Sequence, residues 1–133
     1  MDPVVHFEMP YEDRQRMVDF YSKAFGWKAN LMGEEMGSYA VIQTSEVDAN
    51  NMLKEPGRIN GGFFKRSAEN GAPSVVIAVK DIETAMKKIA AAGGTVILST
   101  LQDGKPMPIA GIGLYAGFTD TEGNRVSLLQ PHM

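Results

Sequence analysis

SVVIAVKDIETAMKKIAAAGG, residues 74–94, sets the fold. Residues 74–80 read as a strand. Beyond them comes a helix with Ile82, Ala85, Met86 and Ile89 on one face, the i, i+3, i+4, i+7 spacing of an apolar stripe. Asp81 is a suitable N-cap, the lysines fall late in the helix, and Gly93-Gly94 end it. Downstream lie a strand at 95–100, a loop QDGKPMP, a strand at 112–118, a turn DTEGN and a strand at 125–130.

The first half runs in the same order. PVVHFEM (3–9) is a strand with Val5, Phe7 and Met9 on one side and Val4, His6 and Glu8 on the other. A helix follows in YEDRQRMVDFYSKAFGW, with Met17, Phe20, Tyr21 and Ala24 as its apolar stripe. Glu12 and Asp13 stand at its start and Gly26 closes it. Strands are expected at 28–32, 38–44 and 59–65, with the polar stretch 45–58 as a loop. The order βαβββ thus occurs twice, in modules at about 1–66 and 73–133 of a single domain. Runs of strands between lone helices argue for a mixed α+β fold rather than a doubly wound parallel sheet.

Bulk composition narrows the function. The chain has 133 residues, 44% hydrophobic and 22% charged, which suits a globular domain with its own core. Net charge is −3 and basic residues never cluster beyond pairs such as Lys65-Arg66, so nucleic acid is not an expected partner. Without cysteine, the chain has no disulfide, thiolate metal site or cysteine nucleophile. MDPVVHFEMP has neither the basic start nor the apolar run of a signal peptide, and no segment approaches the length of a membrane span. A cytoplasmic location is the expectation.

The twofold βαβββ order, FYSKAFGW at the end of the first helix, AAGGTV after the second and the closing FTDTEGNRVSLLQP resemble the vicinal oxygen chelate superfamily. That superfamily includes glyoxalase I, bleomycin-resistance proteins and extradiol dioxygenases. The resemblance covers nearly the whole chain and departs at Thr121, where the family more often carries proline. It implies that each module curls into half of an open barrel and that two modules enclose a cavity, within one chain or across a dimer. Metal-using members place one ligand on the first and one on the last strand of each module. On that pattern the four positions here are His6, Gly62 (or Gly61), Ser74 and Ser127. One imidazole, two hydroxyls and a glycine make a poor site for a first-row divalent ion, even with Glu8 beside His6. No metal and no other cofactor is expected.

INGGFFKR (59–66) therefore raises a question of its own, because glycine inside a strand marks a place where something approaches the backbone. The resemblance makes Gly62 a vacated ligand position that leaves space for a ligand or for a partner's backbone. His6, Tyr39, Phe63 and Tyr115 are expected to line a mostly apolar cavity, with Trp27 near its rim, and Ser74 and Ser127 to offer hydroxyls. His6 is either a cavity-wall histidine bonded to a neighbour or, with Glu8, an acid–base group. Ser74 and Ser127 are either hydrogen-bond donors to a ligand or merely small strand residues. The leading expectation is a metal-independent small-molecule-binding protein that forms a homodimer covering its sheet edges. The alternatives are a metal-dependent lyase or isomerase like lactoylglutathione lyase, and a metal-free enzyme that moves protons with His6 or Glu8.

Overall fold

The computed structural model describes residues 1–132. They form two compact units, one of His6–Pro73 and one from Ser74 onward together with Met1–Val5. Each carries the βαβββ order, the second with an added hairpin, in an open sheet of mixed direction, so the chain is α+β. No helix among the described residues is long and apolar enough to cross a membrane.

The first unit contains β1 (Val4–Tyr11) from His6 onward, α1 (Arg14–Phe25), β2 (Lys28–Leu31), β3 (Ala40–Gln43) and β4 (Asn60–Lys65). Its strands lie in the order β2-β3-β4-β1, with β4 and β1 parallel and the other neighbours antiparallel. Asp13 starts α1 by accepting the Arg16 N–H at 3.0 Å. Gly26 ends it with φ +75°, where its own N–H reaches the Ser22 carbonyl and the Trp27 N–H reaches that of Tyr21. Tyr11, Ala40, Ile42 and Phe63 are buried, with Met17, Val18, Tyr21 and Trp27 packed against them.

Phe20 corrects the expected helix phase, being 58% exposed. Tyr21 takes the central place instead, its ring stacked on Trp27 at 4.7 Å and touching Phe63 at 5.5 Å. Trp27 folds back from beyond the C-cap and, with Val18, completes the apolar cover. Phe20 is left on the flank, edge-on to Tyr21.

The second unit contains β5 (Ser74–Ala78), α2 (Ile82–Ala91), β6 (Thr95–Val96), β7 (Leu101–Gln102), β8 (Lys105–Ile109), β9 (Gly113–Thr119) and β10 (Arg125–Pro131). Its path is β5-β10-β9-β8-β7, with β6 also on β9 and β5 parallel to β10. Val79, Ile82, Ala116, Phe118 and Leu128 form its core, with Ala85, Met86 and Ile89 of α2 against them. Asp81 caps α2 by accepting the Thr84 N–H.

Two expectations fail in this unit. Only Thr95 and Val96 of the strand expected at 95–100 pair as a strand, and Leu98–Thr100 form a 3-10 turn. The stretch read as a loop at 102–108 is largely a hairpin of β7 and β8. Asp103 (φ 52°) and Gly104 (φ 75°) make its two-residue bend, both left-handed as a primed turn requires. With that hairpin set aside, β6-β9-β10-β5 repeats β2-β3-β4-β1. The registers agree as well: Glu8 lies opposite Gly62 in the first unit, as Val76 lies opposite Ser127 in the second.

Candidate functional site

Strand alternation sorts the first unit into two faces. Phe7, Met9 and Tyr11 point toward α1, so His6 and Glu8 point away from it. Gly62 is opposite Glu8 on one side and Val41 on the other, and Tyr39 precedes Val41 by two residues. His6, Glu8, Tyr39 and Gly62 therefore share the face away from the helix. Phe63, one residue on, belongs to the other face, where it is completely buried. This corrects the expectation that Phe63 lines a ligand cavity. Trp27, expected at the rim, lies on the helix side too.

The two glycines of INGGFFKR admit side chains of the same unit. A Cβ built on Gly61 would overlap the ring of Phe7, and one on Gly62 would overlap the hydroxyl and ring of Tyr39. The space before Gly62 is thus filled by a phenol. The Tyr39 hydroxyl donates to Glu8 Oε2 at 2.9 Å, and its oxygen lies 3.5 Å from His6 Nε2. All three side chains are half-buried. Burial lowers the pKa of His6 below its ordinary 6.5, because a charged imidazolium loses hydration there. The lowered value favours the neutral imidazole at pH 7, and a neutral imidazole carries one ring nitrogen that accepts a proton.

The second unit has a matching tyrosine. Gly117 is opposite Ser127, and Tyr115 precedes Gly117 by two residues, just as Tyr39 precedes Val41. The Tyr115 hydroxyl is 3.1 Å from Ser127 Oγ, and Ser127 is buried. Ser74, half-buried, precedes Val76 by two residues and so faces the same way as Ser127. Beside them, buried Thr100 accepts the Gly117 N–H at 2.8 Å and donates to the Ile97 carbonyl at 2.6 Å. Thr100 was not anticipated, and no periodic signal marks it. A separate open cleft of about 520 Å³ in the first unit is lined by residues including Lys28, Gln43, Glu46, Lys54 and Arg58. It excludes His6, Glu8 and Tyr39, and two of its cations are taken up by Lys54–Glu46 and Arg58–Glu55 ion pairs.

The metal implied by the resemblance does not fit the first unit. The β4 position carries glycine, its space holds Tyr39, and Glu8 already accepts the Tyr39 hydroxyl. Among the described residues, no group of three or more His, Asp or Glu is placed to hold an ion. The arrangement instead offers a hydroxyl, a carboxylate and a neutral imidazole side by side, which suits hydrogen bonding to an organic molecule or proton transfer.

Comparison with known proteins agrees with the fold. The family model described as Glyoxalase/Bleomycin resistance protein/Dioxygenase superfamily matches residues 4–128. The anthracycline biosynthesis protein DauV of Streptomyces sp. (strain C5) is 26% identical over 125 residues, covering 88% of this chain and 42% of that protein. The chain thus spans less than half the length of this curated relative. Among solved structures, hypothetical protein BH1468 from Bacillus halodurans C-125 superposes with TM-score 0.67 at 13% identity, covering 99% of this chain and 96% of that one. A variant of Streptomyces coelicolor methylmalonyl-CoA epimerase in complex with 2-nitronate-propionyl-CoA gives TM-score 0.66 at 16% identity, covering 98% and 97%. At such identities the likeness shows a shared fold alone.

Proposed function

The chain belongs to the glyoxalase/bleomycin resistance protein/dioxygenase superfamily, and from that premise we propose that it is a metal-independent small-molecule-binding protein. The observation that carries this reading is the His6–Tyr39–Glu8 cluster over Gly62, where hydrogen-bonding groups stand in place of a metal-ligand set. Tyr39, whose phenol covers Gly62, is the ligand contact proposed in the first unit. Ser74, Tyr115 and Ser127 are the contacts proposed in the second. A homodimer in the cytoplasm completes the proposal, and light scattering that finds a monomer at micromolar concentration refutes the dimer.

The relatives suggest the first probes. One is named for anthracycline biosynthesis and another is solved with a CoA ester. Melting curves are recorded in EDTA with methylmalonyl-CoA, propionyl-CoA or an anthracycline. The expected result is a raised melting temperature with one of them. Tyr39→Phe then weakens binding about tenfold, the worth of one hydrogen bond of about 1.4 kcal/mol. Stabilisation that appears only when a divalent metal is supplied contradicts the proposal.

A second reading follows from the state of His6. A neutral imidazole 3.5 Å from a phenol that is itself bonded to a carboxylate is equipped to take a proton from a carbon acid. The C–H bond α to a carbonyl would break, its electron pair moving onto the carbonyl oxygen and its proton onto His6 or Glu8. Deuterium incorporation into propionyl-CoA in D2O, lost in His6→Gln and Glu8→Gln, separates this enzyme from a binding protein. No incorporation above the buffer rate leaves binding alone.

A further inference from the structure

We infer that Tyr39 is the specificity-determining residue of this face: its phenol occupies the space before Gly62, so that an organic ligand meets a hydroxyl there and a divalent cation finds no β4 donor. The inference deepens the proposed function and rests on its assignment of this face as the ligand site. Two observations carry it. Gly62 and Tyr39 exclude one another sterically, because even a methyl on Gly62 would overlap the phenol. No carboxylate, imidazole or amide can therefore project from Gly62 while Tyr39 keeps its position. The same phenol donates to Glu8, engaging the other oxygen donor on this face.

The second unit supplies an internal comparison. Its equivalent tyrosine, Tyr115, meets a last strand that keeps a side chain, and the hydroxyl stops at Ser127. There the first strand offers Val76 at the position of Glu8, so nothing on that residue could accept a phenol proton. One chain thus holds both forms of the arrangement. A glycine accompanies a tyrosine that reaches the first strand, and a serine accompanies a tyrosine that does not. Tyr39 is fitted to Gly62 and Glu8 together.

The test is a mutant cycle with two readouts, neither of which uses an organic ligand. Its failure is therefore distinct from failure to find one. In the wild-type background Gly62→Ala should lower the melting temperature by at least about 5 °C, the effect of adding a methyl to a filled site in a domain of this length. In a Tyr39→Ala background the same change should cost less than about 2 °C, because the clashing ring is gone. Equal costs in the two backgrounds overturn the inference. The second readout is metal uptake with ZnCl2 or NiCl2. Gly62→Glu combined with Tyr39→Ala should gain a metal-dependent rise of about 10 °C at a hundredfold excess over Kd, lost on adding His6→Ala. Gly62→Glu alone should gain none. Uptake by Gly62→Glu alone with equal affinity, or no uptake by the folded double variant, overturns the inference. If Gly62→Glu alone does not fold, the alanine cycle decides.

Discussion

Phe63→Ala is the sharpest probe of how the first unit is held together. Phe63 has no exposed surface, and Tyr11, Ala40 and Ile42 around it are 6%, 0% and 1% exposed. Its ring also meets Tyr21 of α1 at 5.5 Å, so the truncation empties the contact between helix and sheet. Replacing a phenylalanine in such a place costs about 3–5 kcal/mol. Unfolding entropy of about 2.1 cal/mol/K per residue gives roughly 0.28 kcal/mol/K for this chain, so a 4 kcal/mol loss lowers the melting temperature by about 14 °C. The paired control is Phe20→Ala. Phe20 is 58% exposed with one edge-on neighbour, and its truncation should cost less than about 1 kcal/mol, or about 4 °C. Scanning calorimetry on both variants, with NMR to confirm that each is folded, reads the difference. A Phe63→Ala shift smaller than the Phe20→Ala shift would refute the assignment of strand and helix faces on which the site also depends.

Two further predictions concern buried polar groups. Thr100→Val keeps the shape of the side chain but leaves the Gly117 N–H without its acceptor, and should destabilise by about 1–3 kcal/mol in urea titrations; an unchanged midpoint would show that another group takes up that N–H. For His6, burial lowers the folded-state pKa below 6.5, so the unfolded chain binds more protons as pH falls from about 6.5 through the folded value. Stability from this group is complete above the unfolded value and is lost on acidification through that window. His6→Gln should make the loss between pH 7.5 and 5 shallower, and an identical slope in both proteins would contradict the burial of His6.

Much of the fold was legible because it rests on local chemistry. Asp81 reads as a cap from its place before an apolar stripe, and it caps α2. The repeat could be aligned closely enough to pair positions near Gly62 and Ser127, and the observed registers, Glu8 with Gly62 and Val76 with Ser127, are consistent with that alignment. The Asp103-Gly104 hairpin was also written in the sequence, since Asp-Gly is a strong signal for a primed turn. Two prolines in KPMPI obscured it, because proline argues against a strand unless the strand has an unpaired side. Periodicity does not tell which of the adjacent aromatics Phe20 and Tyr21 faces the sheet, and it is Tyr21 that stacks on Trp27, a residue outside the helix. Strand alternation alone sets Phe63 and Gly62 on different faces of β4. The meeting of Tyr39 with Gly62 and Glu8 had no local signal. It joins β1, β4 and the residue just before β3, and the residue that permits it is known only by the side chain it lacks.

The most direct measurement is the metal content of the wild-type protein. The chain is produced without a histidine tag, in medium supplemented with zinc, nickel, cobalt and manganese, and purified without chelator. Elemental mass spectrometry then counts ions per chain. If Tyr39 fills the place before Gly62 and ties up Glu8, metal will be far below one ion per chain and EDTA will not change the melting temperature. One tightly held ion per chain, with a melting temperature that falls in EDTA, would contradict the account.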